Sequence, residues 1–444
     1  MSDLATTQKP LFREALRFWW KLGWISFGGT AAHIAIMHEN LVEKKRWISN
    51  ESFLHALSHC MILPGPEAQQ LAIYIGWKLH GKKGGLVAGT LFVLPSMFAL
   101  LALSVIYVRF GNLPWITAMF NGLKPAVIAL VILALYRVAR RALHGILRWL
   151  VAGIAFASMF FLNVSIPWIM LGAIALGVTL GSLGPQFLHQ PSEAHKNEDQ
   201  DEHFINCDSL RQEHSPVLKP LIKLTAIALL LWLMPLLFLY LFGDDFHFWK
   251  SLVLFFTKTT FVTIGGSYTV IPYAAQITVS KLHWLSKLQM ADGFALAETT
   301  PGPLIIVLAF VGFMAGYNHF HSSLWMGTLG LLATTFYTFL PCFLFVFAGA
   351  PLVERTAGKP VIKGVLGLIT AVVVGAILDL TLFLGKGVLF PSGIATVRSL
   401  NAISAAWVIL SLVLLKRGKM NVAYLVLLSV IFGVVRYELE LRWR

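Results

Sequence analysis

The chain has 444 residues, of which 57% are hydrophobic and 13% charged, with a mean hydropathy of +0.73. A water-soluble fold cannot bury that apolar fraction, so the composition excludes a soluble enzyme and requires a polytopic membrane protein. The formal charge of +14 falls in short basic clusters between apolar spans, a pattern of membrane orientation and not of a nucleic-acid surface.

Apolar runs such as 86–108, 221–242 and 324–349 are long enough to cross a bilayer as helices, for which about 20 residues suffice. Strand-like alternation is absent, so the expected class is all-α. Cys60, Cys207 and Cys342 have neither metal-type nor disulfide-framework spacing. The N-terminal stretch lacks the pattern of a cleaved signal and reads as mature sequence.

In chain order, the first predicted helix covers 11–37 and carries Phe27-Gly28-Gly29-Thr30-Ala31-Ala32-His33, whose small residues admit close helix contact. The basic loop Lys44-Lys45-Arg46-Trp47 follows. The second helix, 51–80, is interrupted by Pro64-Gly65-Pro66. Proline lacks an N–H and disfavours helix in the residue before it, so the two halves are separate half-helices, the second opening at Pro66. Helices 3 to 6 are predicted at 84–108, 114–142, 146–162 and 166–183. The polar stretch 186–219 reads as a solvated linker, and an extra helix follows at 221–242.

The pattern then restarts. A shift of 237 residues carries Pro64 to Pro301, Gly28-Gly29 to Gly265-Gly266, Trp47 to Trp284 and Lys21 to Lys258. Helices 1′ to 6′ are predicted at 248–275, 286–317 (broken by Pro301-Gly302-Pro303), 324–349, 361–385, 397–415 and 421–437. The expected organisation is a first transporter repeat at 1–185, a cytoplasmic linker at 186–219, an extra transmembrane helix at 220–245 and a second repeat at 246–444. About 13 transmembrane helices in two six-helix repeats place the second repeat upside-down relative to the first. Inverted repeats are a transporter architecture. Basic residues concentrate on the side of the N-terminus, which makes that side cytoplasmic. A rival topology treats helices 2 and 2′ as re-entrant, which leaves 11 crossings and parallel repeats.

Each Pro-Gly-Pro presents the N-terminus of a half-helix whose first-turn N–H groups are unpartnered and partly positive, a ready anion site. The candidate substrate-binding residues are therefore Gly28, Gly29, Thr30, His33, Pro64, Gly65, Pro66, Glu67, Lys258, Gly265, Gly266, Pro301, Gly302 and Pro303. Lysines in apolar spans, Lys21, Lys124 and Lys258, seek a partner or a watery cavity. Glu298 and Asp292 are the candidate proton-coupling carboxylates, with a structural ion pair as the plainer role. His55 and His59 share a helix face but lack a third ligand, so no metal and no cofactor are expected. The chain has no Gly-rich loop ending in Gly-Lys-Ser/Thr, which argues against an ATP-driven pump, and no motif pairs a nucleophile with a base.

These motifs resemble the chromate ion transporters of bacteria in their long two-repeat form. The resemblance rests on Phe27-Gly28-Gly29, Ala32-His33, Trp47-Ile48, Leu63-Pro64-Gly65-Pro66-Glu67-Ala68, Gln70-Leu71-Ala72, Tyr74-Ile75-Gly76, Gly84-Gly85-Leu86, Gly89 and Leu94-Pro95. In the second repeat it rests on Gly265-Gly266, Tyr268, Pro272-Tyr273, Trp284, Asp292-Gly293 and the run from Leu296 to Leu304. Thr30 and Ile264 depart from the family's usual pattern. The resemblance implies efflux of chromate across the cytoplasmic (inner) membrane and resistance without reduction of the metal. Its partners are then chromate or a related oxyanion such as sulfate and the lipid bilayer, with no nucleic acid; the reading leaves room for a homodimer. A channel and a membrane-embedded enzyme are the rival classes.

Overall fold

A computed structural model describes residues 9–27, 29–111, 113–183, 204–205, 218–242, 244–263, 270–349, 360–390, 400–418 and 420–442. Gly28, Gly265, Gly266 and nearly all of the predicted linker lie outside the described residues. The described residues form α1 (Phe12–Ile25), α2 (Gly29–His38, extended by a π-helical turn Glu39–Lys44), α3 (Asn50–Cys60), α4 (Glu67–Phe110), α5 (Pro114–Ala142), α6 (Ile146–Phe160) and α7 (Ile166–Leu183). They continue with α8 (Leu218–Phe242), α9 (Phe246–Val262), α10 (Val270–Ser280), α11 (Lys287–Thr299), α12 (Val307–His319), α13 (Leu324–Leu344), α14 (Pro360–Leu389), α15 (Ala402–Lys416) and α16 (Val422–Arg442). Six of these helices are long and apolar enough to cross a membrane. Multiple apolar helices of this kind make the chain a multi-pass membrane protein.

Two sequence expectations need correction, the continuous first helix of each repeat, at 11–37 and at 248–275. The predicted first helix, 11–37, is not continuous: α1 ends at Ile25 and α2 begins at Gly29. Ser26 leaves the helical region with ψ of 86°, and its hydroxyl donates back to Leu22 O at 2.6 Å. The same device ends α9, where Thr263 has ψ of 86° and its Oγ1 donates to Thr259 O at 2.7 Å. Hydroxyl side chains that satisfy a carbonyl of the preceding turn offer the backbone an alternative to helix. Periodicity could not show this break, because the apolar pattern runs through it.

The broken segments double back. Lys45, just past the π turn that follows α2, pairs with Glu14 in the first turn of α1 at 2.7 Å, and Phe18 meets Trp47 edge-on. After α3 and Pro64-Gly65-Pro66, the chain runs up the first limb of α4 to His80. There Nε2 lies 2.8 Å from Pro10 O, and the ring meets Phe12. α1, α2, α3 and this limb therefore share one base. His80 and Gly81 have non-helical dihedrals, so α4 turns there and its second limb, 82–110, leaves that base. The linker touches the same base, with Ile205 bridging Ile48.

The second half repeats the plan. Phe248 meets Trp284, Asn318 Nδ2 donates to Trp284 O at 2.8 Å, and His319 Nε2 lies 2.8 Å from Asp245 Oδ2. The beginning of α9, the end of α10, the beginning of α11 and the end of α12 thus share a second base. The two bases lie at opposite ends. α4 leaves the first base and reaches α11 through Tyr107, whereas the π turn Phe345–Gly349 that ends α13 brings Phe347 against Trp77. α8 is peripheral, with 6% of its apolar window buried.

Candidate functional site

Between the two bases the turning points meet. The Gly65 N–H donates to Thr263 O at 2.6 Å, and the Gly302 N–H donates to Ser26 O at 2.6 Å. Each Pro-Gly-Pro is thus bonded to the end of the first helix of the other repeat. Both glycines have positive φ, 116° at Gly65 and 106° at Gly302, a backbone state that side chains rarely adopt. A Cβ on Gly65 would stand 2.9 Å from Cys342 Sγ, and one on Gly302 would stand 2.6 Å from Ser96 Oγ. Cys342 follows Pro341 and Ser96 follows Pro95, so the packing partners also correspond between the repeats.

Polar side chains gather around this centre inside the main apolar core. His33 is fully buried; its Nε2–H donates to Ser26 O at 3.1 Å, and its Nδ1 has no partner among the described residues. Gln70 Nε2 donates to Pro64 O, leaving Oε1 unpartnered. Gln69 Oε1, Thr338 Oγ1 and Glu298 Oε1 are likewise buried without a partner among the described residues. Glu67 heads α4 directly after Pro66 and is buried. Helix starts with partly positive N–H groups, amide and hydroxyl groups in want of partners, and two buried carboxylic acids make a centre suited to an oxyanion and to protons.

Not all predicted residues join it. Thr30 is half-buried at the start of α2. Lys258 is exposed on α9, as its counterpart Lys21 is on α1, and the structure does not bring either to the turning points. Asp292 lies elsewhere too, on the base side of α11, where Lys124 Nζ approaches its Oδ1 at 2.9 Å and Tyr107 OH donates to its Oδ2 at 3.0 Å. No group of three or more His, Cys, Asp or Glu side chains suited to a metal occurs among the described residues. Sequence reasoning missed Ser26 and Thr263, although the shift that pairs the Pro-Gly-Pro motifs pairs these hydroxyl residues as well. It also missed Gln69 and Ser96, whose residue types carry no signal until the turn brings them together, and it took Gln70 only as part of a family motif.

The chromate transporter family model matches residues 13–178 and 250–434, one region in each half. The chain belongs to the chromate transporter family. The chain is 28% identical over 430 residues to the chromate transport protein of Cupriavidus metallidurans, covering 96% of this chain and 94% of that protein. It is 30% identical over 379 residues to the chromate transport protein of Pseudomonas aeruginosa, covering 83% and 78%. The uncharacterized transporter YwrA of Bacillus subtilis matches over 156 residues at 28% identity, 34% of this chain and 88% of its own length, so a relative of roughly single-repeat length exists. No solved structure matches the chain.

Proposed function

We propose that this protein is a secondary active transporter that exports chromate across the bacterial inner membrane and thereby confers chromate resistance. The observation that carries the reading is the crossed pair of backbone bonds, Gly65 to Thr263 and Gly302 to Ser26, in a chain whose relatives are named chromate transport proteins. Two repeats that approach from opposite ends and join at glycine-proline breaks form a midplane site accessible in turn from either side.

In this reading the four doubled-back segments are re-entrant. α3 at 11 residues spans about 16 Å, too short to cross. The second limb of α4, then α5, α8, α13, α14 and α16 make crossings, and this reading adds the shorter apolar helices α6, α7 and α15 to them. Their number before α9 is odd, which inverts the second repeat while leaving helices 1, 2, 1′ and 2′ uncrossed. The linker-bearing base faces the cytoplasm, since Lys44, Lys45, Arg46, Lys82 and Lys83 lie there. The repeats occupy 1–185 and 246–444, with the linker and α8 between them.

The anion is held at the turning points by the N-terminus of α4, the Pro301-Gly302-Pro303 turn and His33. Protonation of Glu298 and Glu67 removes the like-charge repulsion against a dianion, so anion occupancy and proton occupancy are linked. Lys258 drops out of the binding set because of its exposure.

The test is labelled chromate accumulation in inside-out vesicles, with and without excess sulfate and with the proton gradient collapsed. Gradient-dependent accumulation that sulfate competes with poorly supports the reading. Preference for sulfate supports the alternative, a transporter for another tetrahedral anion, and accumulation without counterflow exchange supports a channel.

A further inference from the structure

A cavity of about 270 Å³ opens near the second base, lined by Tyr107, Lys124, Gln289 and Asp292 among others. It lies between the end of α4, α5, α11 and α12, with Asp292 on α11 nine residues before Pro301. Two of its polar groups, the Lys124 ammonium and the Tyr107 hydroxyl, are donors turned toward the third, the Asp292 carboxylate. Lys124 is 13% exposed and Asp292 8%, so the pair is largely withdrawn from water while the cavity keeps a route to it. Tyr107 OH points at the same carboxylate from α4.

Gln289 supplies a further donor. Its Oε1 is committed to the Ser286 N–H in the capping box that starts α11, which fixes the amide and leaves Nε2 with no partner among the described residues. An ammonium and a phenol converge on Asp292, and an amide lines the same polar cavity, which is large enough for an oxyanion with several of its waters. Asp292 Oδ2 accepts from Tyr107, whereas Oδ1 meets Lys124 only as an ion pair and has no hydrogen-bond partner among the described residues.

We propose that this cavity is a second oxyanion site, in which Asp292 occupies the anion's place and an incoming tetrahedral oxyanion takes Lys124 and Tyr107 from it. The ligand class rests on the anion-transport reading above; the site itself rests on the donors. Asp292 acts as a tethered competitor, so the site fills when an anion arrives from the turning points or from the second base and empties when the carboxylate returns. The pair has no counterpart in the other half. The shift that pairs the Pro-Gly-Pro motifs puts His55 opposite Asp292, and the match of Gly122-Leu123 with Gly367-Leu368 puts Ile369 opposite Lys124. The site therefore serves one face only.

The experiment is acetic anhydride labelling of Lys124, read by mass spectrometry, on the full-length protein in lipid nanodiscs titrated with sodium chromate against sodium chloride of equal ionic strength. Asp292→Asn removes the competitor, and chromate should then protect Lys124 at roughly tenfold lower concentration than in the wild type. Labelled-chromate binding should tighten by a similar factor in Asp292→Asn and fall back when Lys124→Gln is added. If Asp292→Asn fails to fold, saturating chromate on the wild-type protein carries the same test. Lys124 that labels equally with and without chromate overturns the site. Protection without any vesicle accumulation keeps the site and overturns the transport reading; accumulation without protection does the reverse.

Discussion

At the first turn Gly65 bonds to Thr263 O and packs on Cys342; at the second Gly302 bonds to Ser26 O and packs on Ser96. The side chains around these matching backbones do not match. Glu67 follows the first Pro-Gly-Pro where Leu304 follows the second, and Glu298 precedes the second where Met61 precedes the first. His33, a donor to Ser26 O, faces no equivalent, because Val270 holds its place. The repeat has kept the geometry that makes the turns and let the ionisable groups diverge. That geometry tolerates no Cβ, whereas a charge is needed once along a path.

The largest test of this contrast is substitution of the two glycines. Gly65→Ala and Gly302→Ala each force an unfavourable φ and overpack a neighbour, and overpacking alone costs about 1–3 kcal/mol. Both variants should lose folded protein to a similar degree, read as a fall in Tm in detergent. Ser96→Gly should restore part of the loss in Gly302→Ala, since it removes the contact but not the strain. A tolerated Gly302→Ala would break the equivalence of the two turns.

The carboxylates should separate where the glycines agree. Glu298→Gln should abolish the proton dependence of chromate flux while binding survives, because the amide cannot take up a proton. Glu67→Gln should weaken flux less, as its position in the first turn of α4 is also filled by a neutral residue in the other half. Flux from Glu298→Gln with an unchanged pH profile would remove that residue from coupling. His33→Val makes the first turn resemble the second. It should fold with a Tm lowered by the loss of about 1 kcal/mol for one hydrogen bond. Loss of flux with the fold intact would give His33 a role beyond bracing Ser26.

Much of this arrangement was legible in the sequence, for an identifiable reason. Proline and glycine act on the chain locally, so Pro64-Gly65-Pro66 and Pro301-Gly302-Pro303 announce themselves without any knowledge of the fold. The break at Ser26 uses a side-chain hydroxyl inside an unbroken apolar run, and such residues sit equally well within helices. Lys124 and Asp292 were visible as charges in apolar spans, but their pairing joins α5 to α11 across 168 residues of sequence, from 124 to 292. Lys258 misled because a lysine deep in a span suggests a buried partner, and its long side chain instead lies on the exposed side of α9.

The smallest expected effect contrasts the two bases. The first is tied by Lys45 to Glu14, the second by His319 to Asp245, where hydrogen bonds from His319 and the Phe248 N–H hold the Asp245 carboxyl below the usual carboxylate range. A depressed pKa stabilises the fold above the unfolded value of about 3.9, and the contribution disappears as pH falls through the folded value. Asp245→Asn keeps an oxygen to cap α9 through the Phe248 N–H but removes the charge facing His319. Its Tm should therefore fall slightly below wild type near pH 6, with the gap closing as the pH is lowered into the acid range. Because the pair is solvent-exposed, added salt should shrink the same gap. A difference that persists in acid and in high salt would mean that Asp245 holds the second base by its shape at the α9 start, and that its charge contributes nothing.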